Sequence, residues 1–108
     1  MYFPKPVPIL IQARFGFLLT CKEGVDRNKV VPYIESKGVQ TRMLFAGNLT
    51  KHPCFDQMRA EGRGYRIAGS LENTDRIMRD TFWVGLYPGM TDEKIDYMAK
   101  VIREAGNL

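Results

Sequence analysis

The sequence holds few of the residues that chemistry-bearing motifs require. Its 108 residues include two cysteines, one histidine and one tryptophan. Cys21 and Cys54 form no Cys-x-x-Cys pair. His52 stands two positions before Cys54, and two potential ligands so close in sequence do not make a metal site. The expectation is two buried, unbridged thiols in a reducing compartment, with a single disulfide as the alternative. No nucleophile stands with a base, because His52 has no serine partner and Cys54 is too near it. No glycine loop ends in Lys-Ser or Lys-Thr, and Gly62-Arg-Gly64 lacks the strand before it and the helix cap after it that a phosphate cradle needs. No run reaches the length of a membrane span. The start, Met1-Tyr-Phe-Pro-Lys-Pro-Val-Pro, lacks the basic-then-apolar order of a signal peptide. There is no internal repeat and no low-complexity segment.

What is present describes one globular domain. Apolar residues make up 44% and charged residues 26% of the chain, the balance of a folded protein rather than a disordered tail. The net charge of +4 is a mild excess that suits an anionic partner without specifying one. Pro4, Pro6 and Pro8 favour an extended arm over residues 1–13, and Ile9 to Ile11 reads as an edge strand. Arg14 to Cys21 reads as a strand. Phe15, Phe17, Leu19 and Cys21 alternate with Gly16, Leu18 and Thr20. Both faces are largely apolar, so a central strand is expected. Gly16 implies a close approach to the backbone. Asp26 caps a helix to Lys37, stopped by Gly38. Pro32 interrupts its pattern, which makes Asn28 an alternative cap. Thr41 to Ala46 is a second strand. Phe55 to Glu61 makes a helical turn, and a short helix starts at Ser70 or Asn73 and runs to Arg79. Thr81 to Tyr87 is a third strand, stopped by Pro88-Gly89. Thr91 caps a helix to Ala105, with Ile95, Met98, Ala99 and Ile102 on one face.

Strands separated by helices predict an α+β fold, a two-layer sandwich with a three- to four-stranded, mainly antiparallel sheet and helices on one face. The second face of that sheet also carries large apolar groups, and few helices remain to cover it. Such an asymmetry predicts a partner surface. The strand Thr41 to Ala46 is followed by Gly47-Asn48 and a polar loop of Asn48, Thr50, Lys51 and His52, a place to present donors to a ligand. Arg14-Phe-Gly-Phe-Leu has part of the look of an RNA-recognition strand. Arg14 stands where that motif wants glycine, and Thr20 where it wants the closing aromatic.

Four stretches taken together carry a resemblance. They are Phe15-Gly-Phe-Leu-Leu-Thr, Gly38-Val-Gln-Thr-Arg-Met-Leu-Phe-Ala-Gly-Asn-Leu-Thr-Lys-His-Pro, Asn73-Thr-Asp-Arg, and Thr81-Phe-Trp-Val-Gly-Leu-Tyr-Pro-Gly-Met-Thr. The chain from about Arg14 onward resembles the C-terminal domain of the fold type I, vitamin-B6-dependent sugar aminotransferases and dehydrases. The likeness is nearest to the branch of CDP-4-keto-6-deoxyglucose 3-dehydrases, which serve 3,6-dideoxyhexose and lipopolysaccharide biosynthesis. Arg-Met-Leu-Phe-Ala-Gly-Asn-Leu-Thr and Asn-Thr-Asp-Arg are specific to that branch, whereas Tyr-Pro-Gly-Met-Thr-Asp-Glu belongs to the wider family. Ala13-Arg14 departs from the small-then-aromatic pair of many relatives.

The resemblance implies residues 14–108 as a small domain separated from a large one, and no catalysis by the small domain alone. Implied for the full-length relative are pyridoxamine or pyridoxal phosphate, an iron–sulfur cluster, a homodimer, a separate reductase and a CDP-sugar substrate, with no nucleic acid and no membrane, in the cytoplasm. Within this chain it implies Arg42, Asn48 and Arg76 as substrate-contact donors and Phe15 as an aromatic wall near the cofactor. Each has a plainer role beside it: Phe15 as core, Arg42 paired with Glu35, Arg76 as a solvated helix residue. Two further functional readings accompany the dehydrase. One is a sugar-nucleotide aminotransferase, and the other is a stand-alone basic α+β module for RNA or a small effector.

Overall fold

The computed structural model describes residues 1–5 and 14–108. In chain order its elements are β1 (Gly16–Thr20), α1 (Arg27–Ser36), β2 (Thr41–Met43), α2 (Asp56–Glu61), α3 (Glu72–Asp80), β3 (Thr81–Gly85) and α4 (Asp92–Ala105). Two 3₁₀ turns, Leu49–Lys51 and Pro53–Phe55, precede α2. The α+β class and the antiparallel three-stranded sheet are those expected. The suggested edge strand over Ile9 to Ile11 lies outside the described residues.

The helices form where their caps direct. Asp26 accepts from the Asn28 amide at 2.9 Å and starts α1, so Asn28 lies in the first turn rather than at the cap. Pro32 sits inside α1 on its exposed side, where the carbonyl left without a donor meets water. Gly38, at φ +80°, takes the left-handed conformation that ends the helix. Thr91 accepts from the Lys94 amide at 3.3 Å, and Asp92 and Glu93 follow at the positive end of α4. The third helix starts at Glu72, between the two starts expected, with Ser70 Oγ accepting its amide at 3.2 Å.

The sheet order is β1-β3-β2. The last strand in sequence therefore lies in the middle, and β1, expected to be central, has β3 on one side and a single bridge on the other. That bridge joins Tyr2 and Thr20 through two backbone bonds of 2.8 and 3.3 Å. Apolar residues on both faces of β1 reflect what covers each face, not the number of neighbouring strands. The second strand ends at Met43, short of Ala46, because Phe45 N–H bonds the Met43 carbonyl at 2.9 Å and closes a three-residue turn.

Register places Phe17 opposite Val84 and Leu19 opposite Phe82, so all four face α1 and α4. There they pack with Cys21, Val30, Ile34, Val101, Ile102 and Ala105 in one buried cluster. Burying each large side chain of this kind contributes about 1.5–3 kcal/mol.

The cysteines are free, but they are not alike: Cys21 is buried and Cys54 exposed. Burial, reinforced by Asp80, pushes the Cys21 thiol up from its ordinary value. A thiol-reactive dye is expected to modify one equivalent at once and the second only on unfolding, as counted by absorbance. Two fast equivalents would contradict the burial of Cys21. The folded chain holds the Cys21 proton more tightly than the unfolded chain. Its contribution is therefore complete below the unfolded thiol range near pH 8.5 and is lost as pH rises through the folded value.

Candidate functional site

The face of the sheet away from α1 and α4 is open around Leu18 and Arg42 and closed at Thr81, which is buried. Gly16, Leu18 and Thr20 of β1 lie opposite Gly85, Trp83 and Thr81 of β3, and Arg42 of β2 lies opposite Trp83. Trp83 is therefore the centre of this face. An added Cβ at Gly16 would stand 2.6 Å from Trp83 Cε3. Glycine is what lets the indole lie against the β1 backbone, the close approach expected from the sequence.

Phe15 does not follow the alternation expected of it. The chain bends there, and its ring meets Trp83 edge-on, with centroids 5.6 Å apart and planes at 88°. Such a pairing adds about 0.5–1.5 kcal/mol beyond area burial. Phe15 is consequently 72% exposed, on the open face rather than in the core, while Phe17 points toward the helix side and packs near Phe3 at 6.2 Å. The two phenylalanines do not share one face, as base stacking by an RNA-recognition strand would require.

Together with Leu18, Leu44 and Phe45, Phe15 and Trp83 line a depression of about 280 Å³, with Arg14 at its rim. Phe45 is the one non-glycine described residue at positive φ, +35°. That conformation costs on the order of 1–3 kcal/mol and clusters at functional sites. It turns the Phe45 ring outward, 80% exposed. Sequence reasoning named Phe15 but not Trp83 or Phe45. Gly16, and the Phe-Ala-Gly turn before Asn48, are the signals that lead to them.

Arg42 is exposed on the same face and donates to the Thr41 carbonyl at 2.9 Å. It does not pair with Glu35, which accepts instead from Thr41 Oγ1 at 2.6 Å. Phe15 and Arg42 are thus brought together around Trp83.

Asn48 and Arg76 belong to a second group. Asn48 is only 2% exposed, not on a solvated loop. Its Oδ1 accepts from Thr50 N at 3.0 Å and Thr50 Oγ1 at 2.6 Å, and its Nδ2 donates to Asp75 at 2.7 Å. Lys51 reaches the same carboxylate at 3.1 Å. The Asn48 hydrogen bond, then that of Lys51, holds the Asp75 carboxyl below its ordinary value. His52 Nε2 lies 2.5 Å from the Ala46 carbonyl, and Arg59 donates to the carbonyls of Thr50 and His52. The polar loop is tied inward. Gly47, at φ +64°, allows this, since a Cβ there would stand 2.5 Å from Met78 Cγ. Arg76, one residue beyond Asp75 on α3, is half-buried with its guanidinium 5.5 Å from the Tyr2 ring centroid. In this geometry it holds the N-terminal arm.

Among the described residues no three His, Cys, Asp or Glu side chains converge as metal ligands. No helix there is long and apolar enough to cross a membrane.

A model of the DegT/DnrJ/EryC1/StrS aminotransferase family matches residues 8–103. The chain is 42% identical over 106 residues to dTDP-4-dehydro-2,6-dideoxy-D-glucose 3-dehydratase of Saccharopolyspora spinosa, covering 96% of this chain and 22% of that protein. It is 46% identical over 92 residues to the lipopolysaccharide biosynthesis protein RfbH of Salmonella typhimurium, covering 83% of this chain and 20% of the relative. The chain thus spans about a fifth of the length of these relatives. Its fold is similar to part of the E. coli GDP-4-keto-6-deoxy-D-mannose-3-dehydratase structure with bound hydrated PLP. That likeness has a TM-score of 0.66 at 24% identity, over 81% of this chain and 22% of that one.

Proposed function

Because the chain belongs to the DegT/DnrJ/EryC1/StrS aminotransferase family, we propose that residues 14–108 are the small domain of a vitamin-B6-dependent nucleotide-sugar 3-dehydratase acting in deoxysugar and lipopolysaccharide biosynthesis. The observation that carries this is the open sheet face. A depression walled by Phe15, Phe45 and Trp83, with Arg14 at its rim and Arg42 on the same face, is what a domain closing over an anionic, partly apolar ligand would present. Such an apolar patch rimmed by charge marks an interaction surface. A relative named as a sugar 3-dehydratase favours dehydration over transamination, and one named for lipopolysaccharide biosynthesis supports the pathway class.

The residues present do not make a complete site for pyridoxal or pyridoxamine phosphate. Such a cofactor needs a wall for its ring, a cradle for its phosphate and an amine or acid–base group beside its reactive carbon. The lining of the depression offers the wall, with Arg14 as its charged side chain, and holds no lysine. Phosphate and proton chemistry therefore fall to the remaining four-fifths of a relative's length, together with any iron–sulfur cluster. A homodimer, a separate reductase, a CDP-type sugar nucleotide as substrate and a cytoplasmic location complete the proposal. The free thiols of Cys21 and Cys54 accord with a reducing compartment.

Trp83 is the only tryptophan of this sequence, and it sits on the proposed docking face. In a full-length protein carrying this sequence, with Trp83 as its sole tryptophan and cofactor bound, two changes are expected relative to the 108-residue chain. Acrylamide quenching should fall, and indole emission should be lost to the cofactor chromophore. Unchanged quenching and emission would leave the face in solvent and end the proposal. The chain alone is expected to give no saturable, stoichiometric cofactor absorbance band. Low-micromolar affinity would require about 8 kcal/mol from a preformed site.

A further inference from the structure

A larger cavity, of about 540 Å³, lies away from the Trp83 depression, between the C-terminal end of β3, the segment leading into β2, and the first half of α4. Its volume is within the range of small-molecule sites. Val39, Met90 and Met98 give it an apolar floor, and Tyr87 and Tyr97 stand among its lining. Both tyrosine rings are fixed at their far ends. Tyr97 donates its hydroxyl to the Lys37 carbonyl at 2.9 Å, and Tyr87 accepts from Lys94 Nζ at 3.0 Å. These bonds favour ring positions that line the cavity, which reduces the freedom lost when a flat ligand packs on them.

The rim is polar. Lys94 has a neutral partner in Tyr87, and among the described residues no carboxylate lies within ion-pair distance of it. Its charge therefore remains available to an anion. The Tyr87 hydrogen bond raises the Lys94 pKa further above a value at which the amine is already charged at neutral pH. Glu93 and Gln40 line the same cavity. They supply an acceptor and an amide suited to the edge of a heterocycle. The Glu93 carboxylate disfavours a second phosphate beside the first and favours a ligand whose charge is confined to one group placed at Lys94.

We infer that this cavity binds a flat heteroaromatic ligand bearing one anionic group, of nucleoside-monophosphate size, at a site separate from the face assigned to the dehydratase reaction. The ring packs on Tyr87, Tyr97 and the methionines, and the anion meets Lys94. The inference does not depend on the proposed function, because no residue of the Trp83 depression takes part.

The test is amide chemical-shift titration of the 108-residue chain with three probes: uridine 5′-monophosphate, uridine and inorganic phosphate. Saturable shifts are expected at Gln40, Tyr87, Lys94 and Tyr97, with the monophosphate binding more tightly than either part alone. Lys94→Gln should weaken the monophosphate about tenfold, down to the level of uridine, the effect of one exposed charge-assisted hydrogen bond. Lys94 is exposed, so the variant is expected to fold. Absence of saturation at millimolar probe would overturn the inference. So would an equal response to phosphate alone, an unchanged affinity in Lys94→Gln, or shifts centred on Phe15, Leu18 and Trp83.

Discussion

Asn48→Ala is expected to destabilise the fold by about 2–3 kcal/mol. The substitution removes a helix cap, worth roughly 0.5–2 kcal/mol. It also removes the hydrogen bond that the buried Asn48 Nδ2 donates to Asp75, a further cost of about 0.5–1.5 kcal/mol. For a chain of this size the melting temperature should fall on the order of 10 °C or more. The loss should depend on pH with a definite sign. Asn48 and Lys51 hold the Asp75 carboxyl below its ordinary value, so their contribution is present above the carboxylate range and is lost as pH falls through the folded value. The difference between parent and variant should therefore narrow in acid, below about pH 4. Thermal unfolding from pH 7 to pH 3 reads both effects. A variant that kept its melting temperature at pH 7 would show that Asn48 is not a structural linchpin, and would return it to the substrate-contact role that the family resemblance implies.

Arg42→Ala carries the opposite expectation. Arg42 is exposed and its one hydrogen bond described here goes to the neighbouring Thr41 carbonyl, so folding should change little. If it contacts an anionic substrate in the full-length enzyme, the lost charged hydrogen bond costs about 1.5–3 kcal/mol. That corresponds to roughly a ten- to hundredfold loss of kcat/KM. Arginine's planar fork is the reason lysine should not restore it fully. Arg76→Ala is the matched control, since that side chain stacks on Tyr2. It should loosen the N-terminal arm and lower the melting temperature modestly, with a smaller effect on kcat/KM. Full activity in Arg42→Ala across substrate concentrations would reduce the open face to a packing surface.

The contrast between these two residues shows which parts of the molecule can be read locally. Both were singled out by the same means, their place in a motif that resembles the dehydrase branch. One proves to be a buried cap and the other an exposed side chain beside Trp83. The motif carries no information about direction, and direction decides which of the two can touch a ligand.

Local chemistry is sufficient for the helices and for the antiparallel α+β class. Asp26, Gly38 and Thr91 act through neighbours within a few residues, so their capping follows from the sequence alone. The alternation of Phe17, Leu19 and Cys21, and the demand for a close approach at Gly16, are legible in the same way. Tertiary structure alone decided the rest. It put β3 rather than β1 in the centre, turned Phe15 onto Trp83, ended β2 at Met43, joined Asn48 to Asp75 across 27 positions, and set Arg76 against Tyr2. Each of these depends on partners distant in the chain, whose pairing is selected by the packing of the whole core and by no pattern within a single segment.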